Sequence, residues 1–240
     1  MERRHAQCME QLGLPFRKLG RGGARKNAGR KRNPDSGVPH RARPEHNRRH
    51  PVHVTLRVAL GVPNLRTQVC FNAVRRAFKA GKGGGSFRVV HFTVQSNHLH
   101  LLVEADDKRA LSRGLRALAI RIARALNREL RRKGRVFAER YHARDLQSPR
   151  EVRICVAYVL LNNHRHAGVG ARGREARVVL DPCSSAATFD GWRPDVRVVA
   201  KQPFCEPIDE MILPARTWLL STGWQKAGGP LDPRIVPGPS

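Results

Sequence analysis

Three runs of this chain alternate strictly between apolar and polar side chains, and their order limits the fold more than any other feature. In His50-Pro-Val-His-Val-Thr-Leu-Arg-Val58, the side chains of Val52, Val54, Leu56 and Val58 point one way, and those of His53, Thr55 and Arg57 the other. Such a period of two marks a strand with one face buried. Phe87 to Gln95 repeats the pattern, with Val90, Phe92 and Val94 on one face and His91, Thr93 and Gln95 on the other. After the turn Ser96-Asn97, the run His98-Leu-His-Leu-Leu-Val-Glu104 puts Leu99, Leu101 and Val103 opposite His98, His100 and Leu102. Between the first and second runs, Pro63-Asn64 opens a helical segment to about residue 80, with Leu65, Val69, Ala73 and Phe78 on its apolar side. Gly81-Lys-Gly-Gly-Gly85 breaks it.

A longer helix is expected from about Ala110 to Arg132, where Leu111, Leu115, Leu118, Ile122, Ala125 and Leu126 recur at helical spacing. A fourth strand follows near Tyr141 to Leu146. Ser148-Pro149-Arg-Glu151 then combines an N-cap, a first-turn proline and the glutamate of a capping box, so a last helix should run to about Asn162. Strand, helix, strand, strand, helix, strand is the order of the ferredoxin-like split βαβ arrangement. The expected class is α+β, an antiparallel sheet with helices on one face and an additional C-terminal helix. The sheet face bearing His53, His91, His98 and His100 needs a cover, and the helix after Pro149 is the candidate.

Residues 1–49 read as a basic disordered arm, residues 50–166 as the folded domain and residues 167–240 as an irregular C-terminal extension. The arm holds Arg21-Gly-Gly-Ala-Arg-Lys-Asn-Ala-Gly-Arg-Lys-Arg32 and has no apolar period, so it buries too little to offset its ordering entropy. Within the extension, Asp181-Pro-Cys-Ser-Ser185 and Phe189-Asp-Gly-Trp192 read as ordered loop and Thr217-Trp-Leu-Leu220 as a short helix. Lys and Arg number 46 against 19 Asp and Glu, a formal net charge of +27. That imbalance makes a polyanion the default partner. No apolar run approaches the ~20 residues of a membrane span, and no apolar leader follows Met1-Glu-Arg-Arg-His5. The five cysteines form no C-x-x-C pair, which excludes a zinc ribbon and a disulfide framework and fits free thiols in a reducing compartment.

Two groups of residues carry chemistry. His98 and His100 sit two apart on a strand, so both imidazoles leave the same face and form half of a divalent-metal site. Tyr158 and Asn162 sit four apart on a helix, one turn above the other, beside the apolar stripe Val152, Cys155, Val156 and Val159. A phenol presented to the histidine face is a nucleophile for a phosphodiester, and Asn162 adds an oxygen donor. Tyr141-His142 is the rival pair, at a position better suited to packing or substrate contact. His53 and His91 are candidates to support the metal ligands. His164 and His166 fall at or beyond the expected helix end and read as surface residues.

Asn97-His98-Leu99-His100-Leu101-Leu102-Val103-Glu104, followed by Tyr158-Val-Leu-Leu-Asn162-Asn163, resembles the HUH single-tyrosine transposases, and within them the REP-associated tyrosine transposase group. The resemblance covers residues 50–166. It implies that His98 and His100 bind Mg²⁺ or Mn²⁺ and that Asn162 matches the third, polar ligand. It implies that Tyr158 cleaves single-stranded or hairpin DNA to leave a 5′-phosphotyrosine and a free 3′-OH, in a homodimer acting at the nucleoid in the bacterial cytoplasm. Where many relatives continue the tyrosine helix with Asn-Pro, this chain has Asn162-Asn163. The expected function is metal-assisted DNA transposition, as endonuclease and strand transferase. The alternative is a catalytically inactive DNA-binding module of the same fold. The expected DNA contacts are Arg25, Lys26, Arg30, Lys31 and Arg32 of the arm, and Arg113, Arg116, Arg124 and Arg128 of the long helix.

Overall fold

A computed structural model describes residues 44–81, 85–167, 177–200 and 208–235. All belong to one unit, Val38–Ser240. Arg25, Lys26, Arg30, Lys31 and Arg32, with the rest of the proposed arm up to residue 43, lie outside the described residues.

The chain forms β1 (Val52–Arg57), α1 (Gln68–Lys79), β2 (Phe87–Val94), β3 (His98–Ala105), α2 (Lys108–Glu129), β4 (His142–Asp145) and α3 (Pro149–Ala167). The sheet runs β2-β3-β1-β4 with every neighbouring pair antiparallel. β1 and β2 thus point the same way with β3 between them, and β3 and β4 the same way with β1 between them. This is the split βαβ topology expected from the sequence, and the fold is α+β.

Two cores lie on the two faces of the sheet. Leu56, Leu99, Leu101, Val103, Phe92 and Val94 pack against Phe71, Val74 and Phe78 of α1 and Leu115, Ile122 and Leu126 of α2. On the other face Leu102 and Val90 pack against Val152, Val156, Val159 and Leu160 of α3. Val90 departs from the expected alternation. The ladder pairs Val89 with Val103 and then His91 with Leu102, so Val90 is an extra residue in a β-bulge. The bulge turns Val90 to the α3 side, away from Phe92 and Val94.

The helix boundaries also shift. Residues 63–67 form no helix; α1 begins after Thr67, whose hydroxyl accepts from the Cys70 amide. Val69, expected on the apolar side, is exposed, and Cys70, Phe71 and Val74 fill the core instead. α2 begins after Asp107, whose carboxylate accepts from the Ala110 amide. The capping box of α3 forms as expected: Ser148 Oγ accepts from the Glu151 amide, and Glu151 accepts from the amides of Gln147 and Ser148. α3 continues past Asn162 to Ala167, so the backbone of His164 and His166 is helical rather than beyond the helix end.

The described part of residues 167–240 carries a parallel pair, β5 (Val178–Leu180) with β6 (Val198–Ala200), the short helix α4 (Trp218–Ser221) and three 3₁₀ turns. It completes the second core with Leu180, Ala186, Phe189, Leu219, Leu220, Trp224 and Leu231. Two buried carboxylates tie it to the rest of the fold. Asp181 accepts from both terminal nitrogens of Arg66, at 2.7 and 3.0 Å. Glu104 accepts from the amides of Arg216 and Thr217 and from the Thr217 hydroxyl, at 2.8 to 2.9 Å. Cys70, Cys155 and Cys183 are free and buried; burial pushes the Cys155 thiol up to about 12, so it is inert as a nucleophile.

Candidate active site

The site is built on the sheet face that α3 covers. Antiparallel pairing sets Thr55 opposite His100 and Arg57 opposite His98, while β4 sets Arg144 beside His53. Since side chains two apart share a face, β1 contributes His53, Thr55 and Arg57 to the surface from which His98 and His100 rise. Leu99 and Leu101, fully buried beneath, fix the strand.

His98 Nε2 and His100 Nε2 lie 3.0 Å apart. Two imidazole nitrogens take up that spacing across one hydrogen bond or around one ion. The Tyr158 hydroxyl is 3.3 Å from the same His100 Nε2, with the two rings edge to face at a centroid distance of 5.0 Å. α3 therefore brings together what the sequence separates by 58 positions. On its other side, His100 Nδ1 lies 3.2 Å from His53 Nε2 and 3.1 Å from Thr55 Oγ1. The His53 ring stacks on His100 at 5.2 Å and meets Tyr158 edge to face at 5.9 Å. Burial, reinforced by the Arg144 charge, lowers His53 to about 4, so at neutral pH its ring is uncharged. A neutral His53 and the Thr55 hydroxyl both offer lone pairs to an Nδ1–H of His100. That tautomer leaves the His100 Nε2 lone pair facing His98 and Tyr158.

Asn162 stands one turn beyond Tyr158, 2% exposed, and neither its carboxamide oxygen nor its nitrogen has a hydrogen-bond partner. A buried amide without a partner costs roughly 1–3 kcal/mol, and a cation coordinated through the oxygen would offset that cost. Among the described residues no group of three or more His, Cys, Asp or Glu is arranged to hold a metal, and the carboxamide oxygen of Asn162 is a donor of another type. Two imidazoles and one carboxamide oxygen suit a hard, six-coordinate ion that keeps several waters.

The other candidates fall elsewhere. Tyr141 reaches Ser112 of α2 at 3.5 Å and packs against the first core, on the opposite side of the sheet from the histidines. His91 is buried against Ser185 Oγ, at 3.3 Å, and against the Phe189 ring, away from His98 and His100, because the C-terminal segment covers β2. Arg113, Arg116, Arg124 and Arg128 are exposed along α2, also across the sheet from Tyr158. Thr55 and Arg57 enter the site although nothing in the sequence singles them out for a role. Their signal lies in the alternation of the first strand, which puts them on the His53 face, but only the β1–β3 register shows which histidine each one meets.

Residues 50–162 match the family model described as "Transposase IS200 like". No curated protein matches the chain. A solved structure of a REP-associated tyrosine transposase bound to a REP hairpin shares the fold, with a TM-score of 0.51, 16% identity, and coverage of 71% of this chain and 99% of that one. Among the described residues no helix is long and apolar enough to cross a membrane. Over residues 50–162 the sheet order, the paired histidines and the match to the IS200-like transposase family agree.

Proposed function

We propose that the protein is a metal-assisted tyrosine transposase that cleaves and rejoins single-stranded DNA beside a hairpin, with Tyr158 as nucleophile. The observation that carries this reading is the approach of the Tyr158 hydroxyl to 3.3 Å from His100 Nε2, itself 3.0 Å from His98 Nε2. The relative of the same fold bound to a REP hairpin supports the choice of substrate.

His98, His100 and the Asn162 oxygen would hold Mg²⁺ or Mn²⁺, which when bound supplies positive charge to polarise the scissile phosphate. The chain's own residues do the rest. Tyr158 Oη bonds to phosphorus as the bond from phosphorus to the 3′ oxygen breaks. The phenol gives up its proton, and the departing oxygen gains one to become a 3′-OH. A 5′-phosphotyrosine remains, and attack by a 3′-OH reverses the step with no external energy source. His53 and Thr55 hold His100 in the tautomer that aims its Nε2 lone pair at the site. Arg57, exposed across the ladder from His98, offers a charged fork to a neighbouring phosphate. A homodimer is part of this reading and would show as twice the chain mass in light scattering.

The test is covalent-adduct formation with a hairpin oligonucleotide carrying a single-stranded flank, in Mg²⁺ or Mn²⁺ and in a chelator. Wild type and Tyr141→Phe should form the adduct, whereas Tyr158→Phe and the chelated sample should form none. Adduct formation by Tyr158→Phe at the wild-type rate would overturn the assignment. Hairpin binding without cleavage at every metal concentration would favour the inactive binding module.

A further inference from the structure

The sheet face that carries the histidines is closed along one margin and open along the other. Across the strands in the order β2, β3, β1, β4, the ladder aligns Thr93, His100, Thr55 and His142 in one row. Thr93 is 0% exposed and His100 5%, whereas Thr55 is half-buried and His142 exposed. The C-terminal segment causes the difference: Ser184 bridges to Thr93 and the Phe189 ring packs on His91, which seals the β2 margin. At the other margin, residues 142–144 of β4 stay open to solvent. A strand of DNA that reaches Tyr158 therefore arrives over β4 and β1.

On that open side Arg144 is paired with His53 in the ladder and so shares its face. Its Nη2 donates to Glu151 Oε1 at 2.7 Å, and its side chain remains 64% exposed. Glu151 is itself fixed, because its other oxygen accepts from the amides of Gln147 and Ser148 in the capping box of α3. One tether thus aims the guanidinium and leaves most of its five donors for an anion. Glu151 and Tyr158 are seven residues apart on α3, which returns them to one helix face about 10 Å apart. That separation keeps Arg144 off the phosphate at Tyr158 and suits a neighbouring phosphate of the same strand. Burial first and the Arg144 charge second lower the pKa of His53, so this charge is felt within the site. Arg57 stands at the opposite end, across from His98. We propose that the single strand crosses the β4–β1 margin and that Arg144 holds a phosphate beside the scissile one, with Arg57 at the other end of the path. The inference rests on the function proposed above and adds the side from which the strand arrives and the residue that fixes its register.

The experiment measures binding of full-length protein, in a chelator so that no cleavage intervenes, to a fluorescent hairpin with a single-stranded flank. A single uncharged methylphosphonate linkage is moved through the flank one position at a time. The variants are Arg144→Gln, Arg144→Lys and, as a nearby exposed control, Arg150→Gln, with melting curves to verify folding. In wild type, neutralising one linkage beside the scissile phosphate should weaken binding about tenfold, the usual scale for losing a charged hydrogen bond. Arg144→Gln should bind the unmodified probe about tenfold more weakly and lose less than twofold more at that one linkage, while other linkages keep their wild-type cost. Its slope of log affinity against log salt should be shallower by about 0.7, the share of one phosphate on a single strand. Arg144→Lys should recover part of the affinity, and Arg150→Gln should keep the wild-type pattern. Full sensitivity of Arg144→Gln at every linkage would overturn the proposal, and so would an equal loss of sensitivity at all of them. Adduct formation in Mn²⁺, read in parallel, separates the two claims. Wild type that forms no adduct while Arg144 stays coupled to one linkage would sink the strand-transfer reading and leave the contact standing. Adduct formation with no coupled linkage would do the reverse.

Discussion

The chemistry at the proposed site turns on one imidazole, His100, which is touched from every side. Its Nε2 faces His98 and Tyr158, and its Nδ1 faces His53 and Thr55. A neutral imidazole carries one proton, so what stands at Nδ1 decides whether Nε2 is a donor or an acceptor. Removing the acceptors at Nδ1 should therefore weaken metal binding without touching a ligand. His53→Leu with Thr55→Val should raise the Mn²⁺ dissociation constant, measured by electron paramagnetic resonance, by about 10- to 100-fold, the usual cost of losing the partners behind a ligand. Thr55→Ser alone, which keeps the hydroxyl, should stay close to wild type. Equal Mn²⁺ affinity in the double variant would mean that His100 is oriented by something other than its Nδ1 partners.

Among the elements, β2 shows how packing and protonation are linked. The bulge at Val90 and the C-terminal cover place His91 in a buried niche against Ser185 and Phe189. Burial lowers its pKa from 6.5 to about 4, despite the nearby Asp190 that favours the charged form. The folded ring is then harder to protonate than the unfolded one, so the stability this represents is complete above about pH 6.5 and is lost as the pH falls towards 4. A shift of that size corresponds to roughly 3 kcal/mol. His53, lowered to about 4 as well, acts with the same sign. Urea unfolding between pH 7 and pH 4 should show a slope approaching two protons, and His91→Leu should reduce it towards one. An unaltered slope would place the uptake elsewhere. The element order, the sheet topology and the capping box of α3 were all legible in the sequence, because period-two runs and cap residues are local signals. The bulge was not legible. Val90 sits among alternating apolar residues, and only the pairing with Val103 and Leu102 on β3 reveals the extra residue. For the same reason the His98, His100 and Tyr158 grouping could be read from spacing, while the contacts of Thr55 needed a register that no single strand encodes.

At the scale of the whole molecule, α3 is held between two partners of different origin. The sheet supports one side through Leu102 and Val90, and the segment after residue 177 supports the other through Leu219, Leu220 and Trp224. Trp224 is 2% exposed, whereas Trp218, in the same segment, is 54% exposed. Loss of the buried ring removes a large part of the outer support of the helix that carries Tyr158. Trp224→Ala should cost about 3–5 kcal/mol of stability, the usual range for emptying a buried aromatic site. A domain of this kind has only about 5–15 kcal/mol in total. Near-attack geometry tolerates little displacement, so the same variant should also form the Tyr158 adduct more slowly, by tenfold or more at a temperature where it is still folded. Trp218→Ala should leave both stability and rate near wild type. Calorimetry or urea unfolding, run beside single-turnover adduct formation on equal amounts of folded protein, tests the two halves separately. A destabilised Trp224→Ala protein that forms the adduct at the wild-type rate would show that the C-terminal segment supports the fold without positioning the nucleophile. A parallel loss of both would make that segment part of the machinery that sets Tyr158 against His100.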